Sequence, residues 1–344
     1  MNPIPLPIID LRRAAAVLLL ILAAAFLAFP MTEGAAQTVN PTAQSVQEEM
    51  LFEELQGPIA GRVSIPNERA GTLIAPENRD WSNMRRGTLF TISMVAIVGA
   101  LVVLTAFYLI KGPVPIEAGR SGRTILRFNG LERFAHWLTA VTFIVLGITG
   151  LNVTFGRRLV LPLIGEDAFG TLSIWMKITH NFIAWPFMLG VLLIFVLWVR
   201  DNLPAKEDGP WIRHFGGFFT RGMNIPAWRF NAGQKGIFWA VVIGGAAMSW
   251  TGLVLLFPHL AETLGGWQTA QSLHGVIAAI MVAIILAHIY IGSIGMEGAF
   301  EAMGSGEVDL NWAKEHHSLW VEEELGRGAA RPDTPKGSPA TASR

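Results

Sequence analysis

Residues 272–290 read SLHGVIAAIMVAIILAHIY, an almost wholly apolar stretch with one histidine near each end. His274 and His288 are fourteen residues apart, close to four turns at about 3.6 residues per turn, so both imidazoles project from one face of a helix. At about 1.5 Å per residue they lie roughly 21 Å apart along the axis. That puts one near each edge of a hydrocarbon layer about 30 Å thick. A polar ring in lipid is costly, and two on one stripe point to a function.

Four more runs are long enough to cross a bilayer: about 88–110, 134–155, 176–199 and 237–258, with 272–295 the fifth. An earlier run, Ala14 to Phe29, follows Arg12 and Arg13 and precedes Gly34-Ala35-Ala36. This is the layout of a signal peptide over 1–36, with an uncleaved anchor helix as the alternative. Residues 37–86 are polar and read as a small extracytoplasmic segment, and 87–111 as an extra transmembrane helix. Residues 125–300 read as a four-helix transmembrane bundle, 301–325 as a tail helix, and 326–344, rich in Pro, Ser, Ala and Gly, as a disordered C-terminus. The fold class is therefore an all-α membrane protein.

Loop charge orients the spans. The loop 111–133 carries Lys111, Arg120, Arg123, Arg127 and Arg133, and the loop 200–236 carries Arg200, Lys206, Arg213, Arg221, Arg229 and Lys235. The loop 156–175 has Arg157 and Arg158 at its start, and 259–271 has no Lys or Arg. The basic loops and the C-terminus are expected in the cytoplasm, and 37–86 in the periplasm of a bacterial inner membrane. His136 and His288 then share the inner level, and His180 and His274 the outer one. The economical reading is two b-type haems, each held by two histidines, with the last span serving both.

Other chemistry is poorly supported. The chain has no cysteine, which excludes disulfides, thiolate iron–sulfur ligation and covalent c-type haem attachment within it. Histidine pairs without a nearby carboxylate or thiolate make poor zinc or iron sites. The formal net charge is zero, so nothing points to nucleic acid, while twelve Trp against two Tyr suits lipid interfaces. Small residues such as Gly275, Ala278 and Ala279 would let a flat macrocycle approach, or pack helices. His214 and His259 read as loop or interface residues. His316 and His317 read as an adjacent pair on a solvated helix. A non-redox membrane anchor is the competing class. A transporter is weaker, since the spans lack buried carboxylates.

Four stretches carry a family likeness: RFAHW at 133–137, RFNAGQKGIFW at 229–239, the SLHG to AHIY span, and WAKEHH at 312–317. From about 125 to 325 the chain resembles the cytochrome b (gamma) subunit of membrane-bound respiratory formate dehydrogenases. Residues 1–120 lie outside the resemblance. It implies two b haems, the inner on His136 and His288 and the outer on His180 and His274. It also implies a quinone, menaquinone or ubiquinone, at the cytoplasmic side near Asn231, Gly233 and Gln234. Implied partners are an iron–sulfur beta subunit and a molybdenum- or tungsten-bearing alpha subunit that oxidises formate, in a complex that could be a higher oligomer. The same cytochrome chemistry also serves other donors, such as nickel–iron hydrogenases. Two side-chain amides and a glycine can hydrogen-bond a quinone carbonyl, and Asn and Gly equally suit a helix-start turn. Arg133 either pairs with a haem propionate or marks the membrane boundary.

Overall fold

The computed structural model of the protein describes residues 60–62, 72–74, 81–217 and 223–326. The expected signal peptide and the expected disordered C-terminus beyond Gly326 lie outside the described residues. Five helices there are long and apolar enough to cross a membrane: Trp81–Lys111, Gly130–Leu159, Glu166–Trp198, Ala232–Leu256 and Leu264–Gly295. Their large side chains face outward, with Val103, Val153, Phe182 and Ile243 all more than 60% exposed. In water such a surface would aggregate; around a helix bundle it is the face lipid covers.

We number the helices α1 Leu89–Lys111, α2 Gly130–Leu159, α3 Glu166–Trp198, α4 Ala232–Leu256 and α5 Leu264–Tyr290. A π-helical turn, Met84–Thr88, leads into α1, and another, Ile291–Gly295, extends α5. The helices α2 to α5 begin earlier than the apolar runs predict, because polar residues start them. Asn129 caps α2 with its side chain on the Leu131 and Glu132 amides, and Glu132 returns to the Asn129 amide at 2.9 Å, a reciprocal capping box. Glu166 and Asp167 open α3 behind Gly165 (φ 80°), where acidic residues suit the helix dipole.

The helices α2, α3, α4 and α5 pack in sequence, and α1 lies outside them against α5. Close approach depends on glycine. A Cβ on Gly190 of α3 would sit 2.4 Å from Thr139 Oγ1 and 3.2 Å from Thr139 backbone atoms of α2; one on Gly275 of α5 would meet Leu89 of α1 at 2.6 Å. Phe90 of α1 stacks edge-on with Phe155 of α2 at 5.1 Å. The first span is thus peripheral to the other four.

One end of the bundle is closed by a small domain. Strand β3 (Thr124–Leu126) pairs antiparallel with β4 (Glu307–Asp309), Ile125 opposite Val308. Three short helices complete it: α6 Glu301–Gly304, α7 Leu310–His316 and α8 Ser318–Gly326. This corrects the expectation of one tail helix over 301–325. Asp309 breaks the run: its Oδ1 accepts from the Asn311 amide at 2.8 Å, starting α7, and its Oδ2 from Ser121 at 2.8 Å. A continuous core of Ile125, Phe128, Trp198, Phe230, Val308, Trp312 and Trp320 joins this cap to the ends of α3 and α4. Strands β1 (Ala60–Arg62) and β2 (Thr72–Ile74) form a separate antiparallel pair within 37–86.

His317 is wholly buried in the cap, against the expectation of a solvated pair. Its Nδ1 donates to Trp228 O at 2.8 Å, and its Nε2 accepts from Arg127 Nη2 at 3.0 Å. Burial, reinforced by the Arg127 charge, holds its pKa well below the ordinary histidine value, and the same causes lower that of His316 to about 4. Both rings are neutral when folded, whereas the unfolded chain takes up protons below about pH 6.5. Stability is therefore full above about pH 6.5 and falls as the pH drops toward about 4. Thermal unfolding by tryptophan fluorescence should show a lower Tm at pH 5 than at pH 7.5, with a smaller drop in His316→Gln. An equal drop in both proteins would remove His316 from the explanation.

Candidate functional site

The four histidines meet as two pairs. His136 of α2 faces His288 of α5 with ring centres 6.1 Å apart, toward the capped end. His180 of α3 faces His274 of α5 at 6.3 Å, toward the open end. The pairing expected from loop charge is thus the pairing in the fold. Each separation leaves room for one metal between the two rings, so each pair would fit a single metal-centred group. No group of three or more His, Cys, Asp or Glu suited to a bare metal occurs among the described residues. Two histidines with no third protein ligand would suit a metal that brings its other ligands with it, as in haem.

The open-end pair is oriented by hydroxyls. Thr149 Oγ1 lies 2.8 Å from His180 Nδ1, and Thr251 Oγ1 lies 2.9 Å from His274 Nδ1. Each hydroxyl also lies within donating distance of carbonyls one turn back, Val145 O at 2.8 Å and Leu146 O at 3.1 Å for Thr149, Ala247 O at 2.8 Å and Met248 O at 3.2 Å for Thr251. A hydroxyl that donates to that carbonyl accepts from the imidazole, the arrangement in which Nδ1 carries the ring hydrogen. Both Nε2 lone pairs are left for a metal. Glycine follows each threonine, and a Cβ at Gly150 or Gly252 would stand 3.6 or 3.4 Å from the ring Cε1 of His180 or His274. The sequence reading missed these threonines; the repeated Thr-Gly-Leu at 149–151 and 251–253 was the available signal.

Gly252→Ala should be tolerated, because its methyl makes ordinary contact. Gly252→Val should displace His274 and lower occupancy of the open-end pair by about 10–100-fold, the usual range for disturbing a ligand's support. Haem per chain, measured after purification, checks this, and full occupancy in the valine variant would contradict it.

At the capped end, Trp137 Nε1 donates to Met303 O at 2.9 Å, laying residues 300–305 over the His136 level. Arg133 spends Nε on Met303 O (3.3 Å), Nη1 on Ser305 O (2.9 Å) and Nη2 on Gly304 O. It thereby closes the end of α6, beyond either role expected for it. Asn231 and Gln234 form a capping box at the start of α4: Asn231 Oδ1 accepts from the Gln234 amide at 3.0 Å and Gln234 Oε1 from the Asn231 amide at 3.2 Å. Arg127 Nη2 also approaches Gln234 Oε1 at 3.4 Å. A Cβ at Gly233 would strike the Trp211 ring at 2.5 Å, so this glycine seats an aromatic lid. The helix-start reading of Asn231 is therefore realised. His214 ends a short helix, Asp208–Arg213, and His259 lies beside the Phe257 ring, as expected for residues outside the site.

The profile of the prokaryotic cytochrome b561 family matches residues 127–306. The chain is 27% identical over 203 residues to the cytochrome b556(fdo) subunit of formate dehydrogenase from Escherichia coli K12, covering 58% of this chain and 93% of that one. It is 26% identical over 219 residues to the nitrate-inducible formate dehydrogenase cytochrome b556(Fdn) subunit of the same strain, covering 62% and 98%. The formate dehydrogenase cytochrome b556 subunit of Haemophilus influenzae is 25% identical over 205 residues, covering 58% and 84%. With the match spanning just over half its length and all four paired histidines inside it, the chain belongs to the prokaryotic cytochrome b561 family, a haem b-binding family of multi-pass membrane proteins.

Proposed function

We propose that the chain is the membrane cytochrome b subunit of a formate dehydrogenase complex, linking a peripheral iron–sulfur subunit at the open end to quinone at the capped end. The observation that carries this reading is the pair of bis-histidine sites at two levels of one bundle, 6.1 and 6.3 Å between ring centres. The names of the relatives supply the donor: all three described above are formate dehydrogenase subunits. Formate oxidation itself falls to a molybdenum- or tungsten-bearing alpha subunit.

Haem supplies one-electron chemistry between ferrous and ferric iron. His136 with His288 and His180 with His274 hold it non-covalently, and the surrounding apolar helices keep water from the sites. The capped end faces the cytoplasm and β1–β2 the periplasm, following the basic loops. Quinone binds by the start of α4. The capping box turns the amide oxygens of Asn231 and Gln234 inward, so their NH2 groups are the donors left for a quinone carbonyl. Trp211 on Gly233 gives an apolar wall. Arg133 keeps two N–H donors beyond those on carbonyls, enough for one haem propionate.

Deleting the gene should abolish formate-dependent quinone reduction in isolated membranes while formate oxidation by a soluble dye persists. Unchanged formate-to-quinone activity would reject the assignment to this complex.

A further inference from the structure

We propose that Thr149 and Thr251 make the open-end histidine pair the lower-potential haem site of the two, by giving both its ligands a hydrogen bond that the capped-end pair lacks. The inference rests on the two-haem reading above and adds an order to it. At the open end both Nδ1 atoms meet a threonine oxygen, at 2.8 and 2.9 Å. At the capped end His136 Nδ1 is buried and makes no hydrogen bond. Among the described residues the His288 ring makes no side-chain hydrogen bond either.

The chemistry follows from the direction of these bonds. A hydroxyl that donates to a backbone carbonyl is a better acceptor, because linked hydrogen bonds polarise one another. Accepting from Nδ1–H makes the opposite nitrogen more basic. A more basic axial ligand favours ferric over ferrous iron and lowers the potential. With no acceptor on its Nδ1, His136 is the weaker donor, and its site is easier to reduce. Equilibrium then places an electron preferentially at the capped end, beside the proposed quinone.

Two features argue against ordinary helix polarity. A threonine in an apolar helix usually satisfies itself on the carbonyl one turn back. Here that bond is made and the oxygen still serves a second partner, on two different helices. In both cases the next residue is glycine, which leaves the ring room at the distance the hydroxyl requires. Thr149 and Thr251 are thus positioning residues, acting through His180 and His274.

The test is potentiometric titration of the purified holoprotein, followed at the visible haem bands. His180→Ala identifies the open-end component by removing it, and in the wild type that component must be the lower-potential one. Thr149→Val and Thr251→Val should each shift its oxidised-to-reduced ratio about tenfold toward the reduced form, equivalent to about 59 mV for one electron. The other component should stay in place, and Thr149→Ser should restore the wild-type value. Unmoved potentials in the valine variants, or an open-end haem of higher potential, would overturn the proposal while leaving two haems intact. If a valine variant loses its haem, the wild-type order still decides. Fewer than two haems in the wild type would instead remove the reading beneath it.

Discussion

A His274→Ala, His288→Ala double variant is expected to carry no haem, and each single variant one haem of two. The helix α5 supplies a histidine to both pairs, and no other helix does. Removing His274 leaves His180 facing an empty position at the open end, and removing His288 leaves His136 so at the capped end. Where a pair holds haem as proposed, losing one of its two histidines removes more than the 10–100-fold typical of disturbing a supporting hydrogen bond. Formate-to-quinone activity should fall by at least about 100-fold in either single variant, because both sites lie between the two ends of the bundle. Haem per chain and the reduced spectrum of each purified variant check this. A single variant retaining both haems would show that the histidines facing each other are not the ligands.

The second large effect is structural. Glu132 ties three parts of the capped end together. Its Oε1 accepts from Trp198 Nε1 at 2.9 Å, at the end of α3, and from Arg229 Nη2 at 2.7 Å, in the loop before α4; its Oε2 holds the Asn129 amide. The Glu132 side chain is 7% exposed and that of Arg229 25%. Glu132→Ala therefore leaves a buried indole N–H without an acceptor and a partly buried guanidinium with Asp201, at 2.9 Å, as its one carboxylate partner beside the Arg127 carbonyl at 3.0 Å. Breaking a buried pair by removing one partner costs about 3–5 kcal/mol, and the partial exposure of Arg229 puts this case near the lower end, about 3 kcal/mol. Glu132→Gln keeps an acceptor for Trp198 and should lose about half as much. Denaturant unfolding of the purified protein in detergent measures both. A loss below about 1 kcal/mol for the alanine variant would mean that the carboxylate is no hub.

The apolar spans and the histidine pairing were legible because both rest on local periodicity and on loop charge. The fourteen-residue spacing of His274 and His288 fixes a shared helix face whatever the neighbours do. Helix ends were less legible. The apolar run suggests 176–199 where the helix starts at Glu166, since a helix needs a cap and a dipole-compatible first turn, not an apolar start. The Asn129-to-Glu132 spacing is itself a capping-box signature, as is Asn231 to Gln234. Reading the latter as a helix start and as a quinone contact are compatible, because the oxygens serve the first and the NH2 groups remain for the second.

The cap was the least legible part. Its strands pair residues more than 180 positions apart, Thr124 with Asp309 and Leu126 with Glu307, and no local pattern encodes such a pairing. Once β3 and β4 join, Val308 and Trp312 become core and His317 is drawn beneath them with Arg127 as its partner. A His-His dipeptide among Lys and Glu looks solvated only until that closure is known. Thr149 and Thr251 were overlooked for a different reason. A hydroxyl in an apolar span attracts little notice singly; its role emerges only opposite an imidazole from another helix.

The most direct test of the account is a reduced-minus-oxidised visible spectrum of the purified chain with a pyridine haemochrome count per polypeptide. Two b haems per chain is the predicted result, one for each histidine pair. One haem would make one of the pairs a packing contact, and none, in haem-replete cells, would contradict the cytochrome reading and the quinone link built on it.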